Sequence, residues 1–491
     1  MASKANKNRE YRLKRILLGT LAALLLIQVA SRIVTMTPWE DEGFFADPAL
    51  TLLRDGYLGT RSVDPTSAWQ SPNQWVHADR YFYYLPPLYE VLLAGWWKLT
   101  GFGLFTMRAL SGVAGVLLCL ASFGVAKRLS PLQWAPYVTL AYLATNYHVV
   151  SASSTGRQDC LSTAFGIAGL WVYFVLKERG RERAGVLAGH SLIAAAALTH
   201  PNGCLYFLPL LYLMWRNGSF RVLNVALAAI PYLVFLGVWA LYIRHDPQAF
   251  LLQFGTNLSG HRVGGSLNPL RSLAAELGRY YILPTSETSG RAKIILAVPM
   301  LLGAALLFLV RDLRRQHWDM VVLMAYFMLA MTYLIGRKWD GYLVNIVPVY
   351  GLAIGAAAAY FWGRNWMKVA FAVTCLLGLA ATLRLSAGMR YQREYSPVVA
   401  YVKSLHEKER VFAAAEFGFG LGFENVRDDY SLGFGSGIRP KTIIMGEWYD
   451  AQMQSSAITR PVIYQHMRET LSECREAFSA GQYRVYVRTP R

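Results

Sequence analysis

Apolar segments recur along most of this chain, near residues 17–34, 105–126, 131–150, 160–176, 184–199, 203–215, 221–243, 292–310, 319–336, 341–361 and 366–386. A hydrocarbon core about 30 Å thick is crossed by roughly 20 apolar residues in a helix, and it holds no water to satisfy bare backbone groups. A chain built this way is expected to fold as an all-α polytopic bundle of about eleven transmembrane helices. Composition agrees: 54% of residues are hydrophobic and 16% charged, against roughly 25% charged in soluble domains.

The first segment follows Lys4, Lys7, Arg9, Arg12, Lys14 and Arg15. No small-residue cleavage site follows it, so it reads as an uncleaved first span with a cytoplasmic N-terminus. The apolar piece 86–103 is short, opens with Pro86 and Pro87 and carries Lys98, so it reads as an interfacial helix outside the count. With that choice the loops "AKRLS", "KERGRERAG", "WRNGSFR", "RDLRRQHWD" and "GRNWMK" all fall on the cytoplasmic side, and every one is basic. The formal charge of +19 is thereby accounted for by topology, and nucleic acid is not an expected partner.

The same parity leaves outside the loop 36–104, "SSTGRQD" (153–159), "THPNG" (199–203), the loop 244–291, "GRKWDGY" (336–342) and everything after about 387. The tail changes character. "SPVVAYVKSLHEKE" reads as an N-capped amphipathic helix, "RVFAAAE", "KTIIMG" and "QYRVYVRT" as strands, and "RPVIYQHMRETLSECREAF" as a helix. The expected organisation is a transmembrane domain over 1–390 and a small extracytoplasmic α/β domain over 391–491. The five cysteines form no CxxC, and the one pair placed for a disulfide is Cys160 with Cys204, near outer ends of spans.

The unusual polar residues gather on the outer side. Asp41 and Glu42 are adjacent acids whose mutual repulsion drives their pKa values apart, leaving one fitted to act as a base; alternatively "TPWEDE" is a helix start with Thr37 as N-cap. Arg157 and Asp159 open a span, either as a cap with a headgroup cation or as a charged pair at the mouth of a cavity. His200 ends the fifth span as a turn residue or a ligand. Arg337, Lys338 and Tyr342 sit where a span meets the outer leaflet, as snorkelling cations with an interfacial aromatic or as a cradle for a lipid phosphate. "GHRVGG" (260–265) adds a basic, flexible element that reads as a lid. A divalent metal is the one cofactor left open, with Glu42, Asp159 and His200 as candidate ligands, although no HxH or HxxxH spacing supports it.

The order of these pieces resembles the polytopic glycosyltransferases of the C superfamily (GT-C), in the branch of the protein O-mannosyltransferases and the lipid A aminoarabinose transferase. The matching pieces are "PWEDEGFFADPALTLLRDGY", the proline-pair segment "YFYYLPPLYEVLLAGWWKLTGFG" with the "R..S...G" span after it, "SSTGRQDCLSTAFGIAGLWVYF" and "GRKWDGYLVNIVPVYGLA". Together they cover roughly 15–361. Two positions depart from the branch: Leu85 stands where a Lys is common, and His200 where a Lys is common.

The resemblance implies an enzyme that takes a sugar from a polyprenyl-phosphate donor in the outer leaflet and inverts its anomeric centre; the size of the chain points to a bacterial inner membrane. The acceptor would be a glycan, glycolipid or protein. Asp41 is expected to be the general base, and Glu42 to orient sugar, acceptor or metal. Arg157, Asp159 and His200 would shape the opposite wall, and Arg337, Lys338 and Tyr342 would hold the lipid phosphate. A transporter or lipid flippase is the alternative, favoured by span count; against it, ionisable residues gather on one face rather than at mid-membrane. A receptor using the outer tail would leave the "DE", "R.D" and "RK..Y" sets without a purpose.

Overall fold

A computed structural model describes residues 2–67, 74–258, 268–283, 293–406 and 409–489, with side chains from Arg12 onward. Helices cover each of the eleven apolar segments. Among the described residues, five helices are long and apolar enough to cross a bilayer: Arg12–Thr35, Leu104–Leu129, Gln158–Glu178, Val222–Ile243 and Asn365–Ser404. Shorter apolar helices follow at Ile294–Leu309, Trp318–Tyr333 and Val347–Tyr360. The chain is a multi-pass membrane protein.

Some expected spans are interrupted where the sequence offers the backbone another partner. The segment 131–150 breaks at Asn146, whose side chain accepts from the N–H groups of His148 and Val149 at 2.9 and 3.2 Å and so starts a new helix, Tyr147–Ser153. The segment 203–215 opens as a 3₁₀ turn, Pro201–Tyr206. All five cysteines are free, so Cys160 and Cys204 are not joined. The proposed lid "GHRVGG" lies outside the described residues.

The chain divides into two compact units. The first comprises Met1–Arg32, Ser111–Val238 and His261–Leu385. Its densest packing is an antiparallel helix pair, Gln158–Glu178 and Glu182–Thr199, turned by Gly180 at φ +73°. The two helices touch at Gly169 and Gly189, where a Cβ on either would stand 2.8 or 3.0 Å from the other's carbonyl oxygen. Small residues let backbones approach this closely where no hydrophobic effect drives helices together. A second close contact joins Val347–Tyr360 to Ala135–Thr145, with Thr139 Oγ1 donating to Gly351 O at 3.0 Å.

The second unit comprises Ile33–Leu110, Trp239–Gly260 and Ser386–Arg491. Helix α1 (Ala2–Thr35) leads through a short extended link into α2 (Glu40–Asp55). Helix α3 (Leu88–Thr100) has 13 residues, about 20 Å at 1.5 Å per residue, which falls short of a bilayer core. Helix α4 (Leu104–Leu129) follows.

The tail of this unit builds a five-stranded sheet in the order β2-β1-β3-β5-β4, from β1 (Val411–Phe412), β2 (Val426–Arg427), β3 (Thr442–Met445), β4 (Cys474–Ala480) and β5 (Tyr483–Arg488). The three strands expected from sequence are present. The helix expected over "RPVIYQHMRETLSECREAF" stops at Ser472, and the chain from Cys474 pairs antiparallel with β5 across a tight turn at Gly481, φ +59°. Ser396 is not an N-cap, because helical backbone already runs into it through Tyr391–Tyr395. Glu447–Thr459 and the short β2 carried no periodic signal strong enough to be expected.

Candidate functional site

The start of α2 explains the adjacent acids. Its N-cap position is Trp39 rather than Thr37, and the third helical residue, Glu42, reaches back to accept from Trp39 N at 2.9 Å. Both Glu42 oxygens also face Arg108 of α4: Nε donates to Oε1 at 2.7 Å and Nη2 to Oε2 at 2.6 Å. The same guanidinium donates to the carbonyls of Ile33, Met36 and Thr37 at 2.8–2.9 Å. Arg108 and Glu42 are 2% and 0% exposed. They form a fork-to-fork latch that fixes the end of α1 against the start of α2. Glu42 therefore points into this latch.

Asp41, one residue earlier, is half-exposed and lines a narrow open cleft together with Glu40, Ser67, Asp428 and Tyr430. The floor is aromatic: Phe44 lies edge-on to Trp75, Phe82 and Tyr84 at ring distances of 5.1–5.2 Å. Gly43 is required because a Cβ there would sit 2.2 Å from the Ala415 carbonyl carbon, so α2 packs directly on the tail's Ala415–Phe417 turn. Asp428 arrives just past β2. Its N–H donates to Ser62 O at 2.8 Å and its carbonyl accepts from Asp64 N at 3.2 Å. Its carboxylate accepts from Ala415 N at 3.1 Å, with the Tyr449 hydroxyl 3.5 Å away. Burial pushes the Asp428 carboxyl up to about 8, with the neighbouring Asp429 adding to the shift. Glu416 is likewise pushed up to about 8, by burial and by Asp428. Neither tail acid was singled out from sequence, although "RDDY" repeats the adjacent-acid signal of "WEDE".

In the first unit, Asp159 begins one helix of the antiparallel pair and His200 follows the end of the other, so the hairpin brings them to the same end. His200 Nε2 lies 3.5 Å from Asp159 Oδ1, and Arg157 Nε donates to Asp159 Oδ2 at 2.8 Å. His200 Nδ1 accepts from Asn202 N at 3.1 Å, which places the ring proton on Nε2, toward Asp159. The Arg157 guanidinium lies over the Trp339 ring at 4.9 Å, and Trp339 and His200 both touch Tyr342. All three expected wall residues and Tyr342 thus form one cluster.

Lys338 belongs to a different arrangement. Its ammonium donates to Met331 O at 2.8 Å and Thr332 O at 2.6 Å, closing the end of Trp318–Tyr333, and faces Glu276 at 3.2 Å. Arg279 shares Glu276 at 3.2 Å. Lys338 is 7% exposed, whereas Arg337 is half-exposed. The candidate metal ligands do not form a set: Glu42 is engaged by Arg108, Asp159 and His200 make only a pair, and among the described residues no group of three His, Cys, Asp or Glu side chains is placed to hold a metal ion.

No protein-family model matches this chain, and no curated protein matches it in sequence. Its fold does have counterparts. The structure of ArnT from Cupriavidus metallidurans in the apo state superposes with a TM-score of 0.61 at 14% identity, covering 96% of this chain and 99% of that one. The same protein bound to undecaprenyl phosphate gives 0.60 at 13% identity over the same shares. This chain has the GT-C fold. The archaeal oligosaccharyltransferase AglB from Archaeoglobus fulgidus, in complex with an inhibitory peptide and a dolichol-phosphate, gives 0.52 at 12% identity over 96% of this chain and 74% of that one.

Proposed function

We propose that this protein is a glycosyltransferase that moves a sugar from a polyprenyl-phosphate-type lipid donor to an acceptor hydroxyl on the extracytoplasmic face of a bacterial inner membrane. About eleven spans, a cytoplasmic N-terminus and an extracytoplasmic tail belong to this reading. The observation that carries it is the GT-C fold over 96% of the chain, shared with a protein solved with undecaprenyl phosphate bound. A half-exposed Asp41 on the rim of an aromatic-floored cleft supports it further.

The reaction needs one proton acceptor and one anion-stabilising element. As the acceptor oxygen bonds to the anomeric carbon, the carbon–oxygen bond to phosphate breaks and its electron pair leaves on phosphate. That leaving group is already a stable anion and needs cations rather than a general acid. Attack from the face opposite the phosphate inverts the centre. The acceptor hydroxyl proton passes to Asp41, the base. Glu42 acts by positioning: held by Arg108, it sets the first turn of α2 and hence the direction of Asp41. Arg157 and Arg337 are the cations for the lipid phosphate; Lys338 and Glu276 hold the loop that carries Arg337, and Asp159 pairs with Arg157 directly, with His200 against Asp159 and Tyr342 against Trp339, the ring under the guanidinium.

The test is transfer from a panel of polyprenyl-phosphate-linked sugars by the full-length protein in lipid nanodiscs. Asp41→Asn should lower kcat by roughly 10²–10⁴, the usual worth of a positioned base, while binding of undecaprenyl phosphate is retained. Transfer by Asp41→Asn at the wild-type rate would remove Asp41 from the role.

A further inference from the structure

Lys293 stands where a cation is out of place. It is the N-cap of the helix Ile294–Leu309, and a positive charge there opposes the positive end of the helix dipole; acids and small hydroxyls are the usual choice. One of its partners is Tyr281, a residue with a full side chain held at φ +59°, in the region that favours glycine. The two locally costly choices meet at one atom: Lys293 Nζ donates to the Tyr281 hydroxyl and to Asp340 Oδ2, both at 3.0 Å. The ammonium also lies 5.1 Å from the Tyr281 ring centre and 5.6 Å from that of Tyr147. Burial alone would raise the Asp340 carboxyl, but the Lys293 charge outweighs it and holds the group below the usual carboxylate range, so the pair is ionised.

Strained residues are kept where their surroundings over-determine them, and they gather at functional sites. Asp340 shows which site. It opens the 3₁₀ turn Asp340–Asn345. On one side of it is Trp339, whose ring carries the Arg157 guanidinium at 4.9 Å; on the other is Tyr342, which meets that ring edge-on at 5.1 Å. We infer that Lys293 is a positioning residue for the lipid-phosphate site: by pinning Asp340 to Tyr281 and to the start of Ile294–Leu309, it fixes the Trp339 ring and, through it, the direction of Arg157. The inference rests on the glycosyltransferase reading, in which Arg157 meets the phosphate. The Asp159 bond at Nε fixes one edge of that guanidinium, and the flat Trp339 ring sets its plane. A planar fork that binds phosphate oxygens in pairs must have its plane set. Lys293 acts at one remove, because its charge is matched by Asp340.

The experiment measures undecaprenyl phosphate binding to the full-length protein in nanodiscs by thermophoresis, beside the transfer assay. Lys293→Met, which removes the charge at similar volume, and separately Asp340→Asn should each weaken binding about tenfold, or about 1.4 kcal/mol. Both should raise donor KM with little change in kcat, the opposite of Asp41→Asn. Lys293→Arg, which keeps a cation beside Asp340, should restore most of the loss. In a Trp339→Leu background, already weakened, Lys293→Met should cost nothing further, because the two act through the same contact. Asp340→Asn leaves the Lys293 side of the pair in place and carries the test if Lys293→Met does not fold. Wild-type affinity in both single variants, or losses that add in the Trp339→Leu background, overturns the inference. A loss in Lys293→Met with none in Asp340→Asn also overturns it, since Lys293 would then meet the phosphate itself. The expected losses with no transfer from any lipid-linked sugar would uphold the positioning role and sink the glycosyltransferase reading alone.

Discussion

At the scale of single residues, the adjacent acids divide their labour by direction. Successive residues of a helix point about 100° apart, so Asp41 and Glu42 cannot serve the same surroundings. Glu42 turns inward to Arg108, and Asp41 turns to the cleft. The latch is a buried ion pair in which every oxygen of the acid is met and the guanidinium satisfies three carbonyls besides. Removing one partner of such a pair leaves an uncompensated buried charge, at about 3–5 kcal/mol. Arg108→Ala should therefore lower the melting temperature in nanodiscs and expose 33–67 to limited proteolysis. Arg108→Lys should rescue little, because an ammonium cannot present a planar fork to Glu42 while reaching three carbonyls. Wild-type stability in Arg108→Lys would show that charge alone holds this corner.

At the scale of elements, what could be read from sequence depended on whether a segment carried its own period. The apolar helices and the strands β3 and β5 did, because burial is written locally as a run or an alternation. The hairpin β4–β5 was half hidden, since "SECREAF" has helix formers in an edge strand whose conformation is set by pairing with β5. The cleft was legible only on its α2 side. Asp428 reaches it through a two-residue strand and a single bridge to Val63, contacts more than 360 residues apart in sequence that no local pattern records. The tail and its neighbours also bury acids that stay protonated. Glu90, Glu416 and Asp428 are each pushed up to about 8 by burial. The unfolded chain releases these protons above about pH 4 and the folded one retains them to about pH 8, so their contribution to stability falls as pH rises through that window. Melting followed at pH 5, 6.5 and 8 should show a falling midpoint, and Glu416→Gln, which cannot titrate, should flatten the slope. A midpoint that rises over the same range would mean these carboxyls are ionised when folded.

At the scale of the whole molecule, the chain combines a fold shared at 14% identity with ArnT and a charge pattern on which the proposed orientation rests. The fold tolerates such divergence because a bilayer asks only for apolar helices with close-packing glycines at their crossings, as Gly169 and Gly189 provide. Orientation is written separately, in the loops. Lys and Arg in short loops are retained on the cytoplasmic side, and "KERGRERAG" and "RDLRRQHWD" are among the most basic stretches of this chain. The two helices joined by the first loop also carry Asp159 and His200 at their far ends, so in the proposed topology the side taken by Gly180 sets the opposite side for that pair. Single cysteines placed at Gly180 and at Arg314, in a background lacking the native five, should be labelled by a membrane-impermeant maleimide only after the cytoplasmic face is opened. A cysteine at Thr155 or at Gly341 should be labelled in intact cells. Labelling of position 180 in intact cells would invert the topology. It would put Asp159 and His200 on the cytoplasmic side, away from a donor presented in the outer leaflet, and the proposed direction of sugar transfer would fall with it.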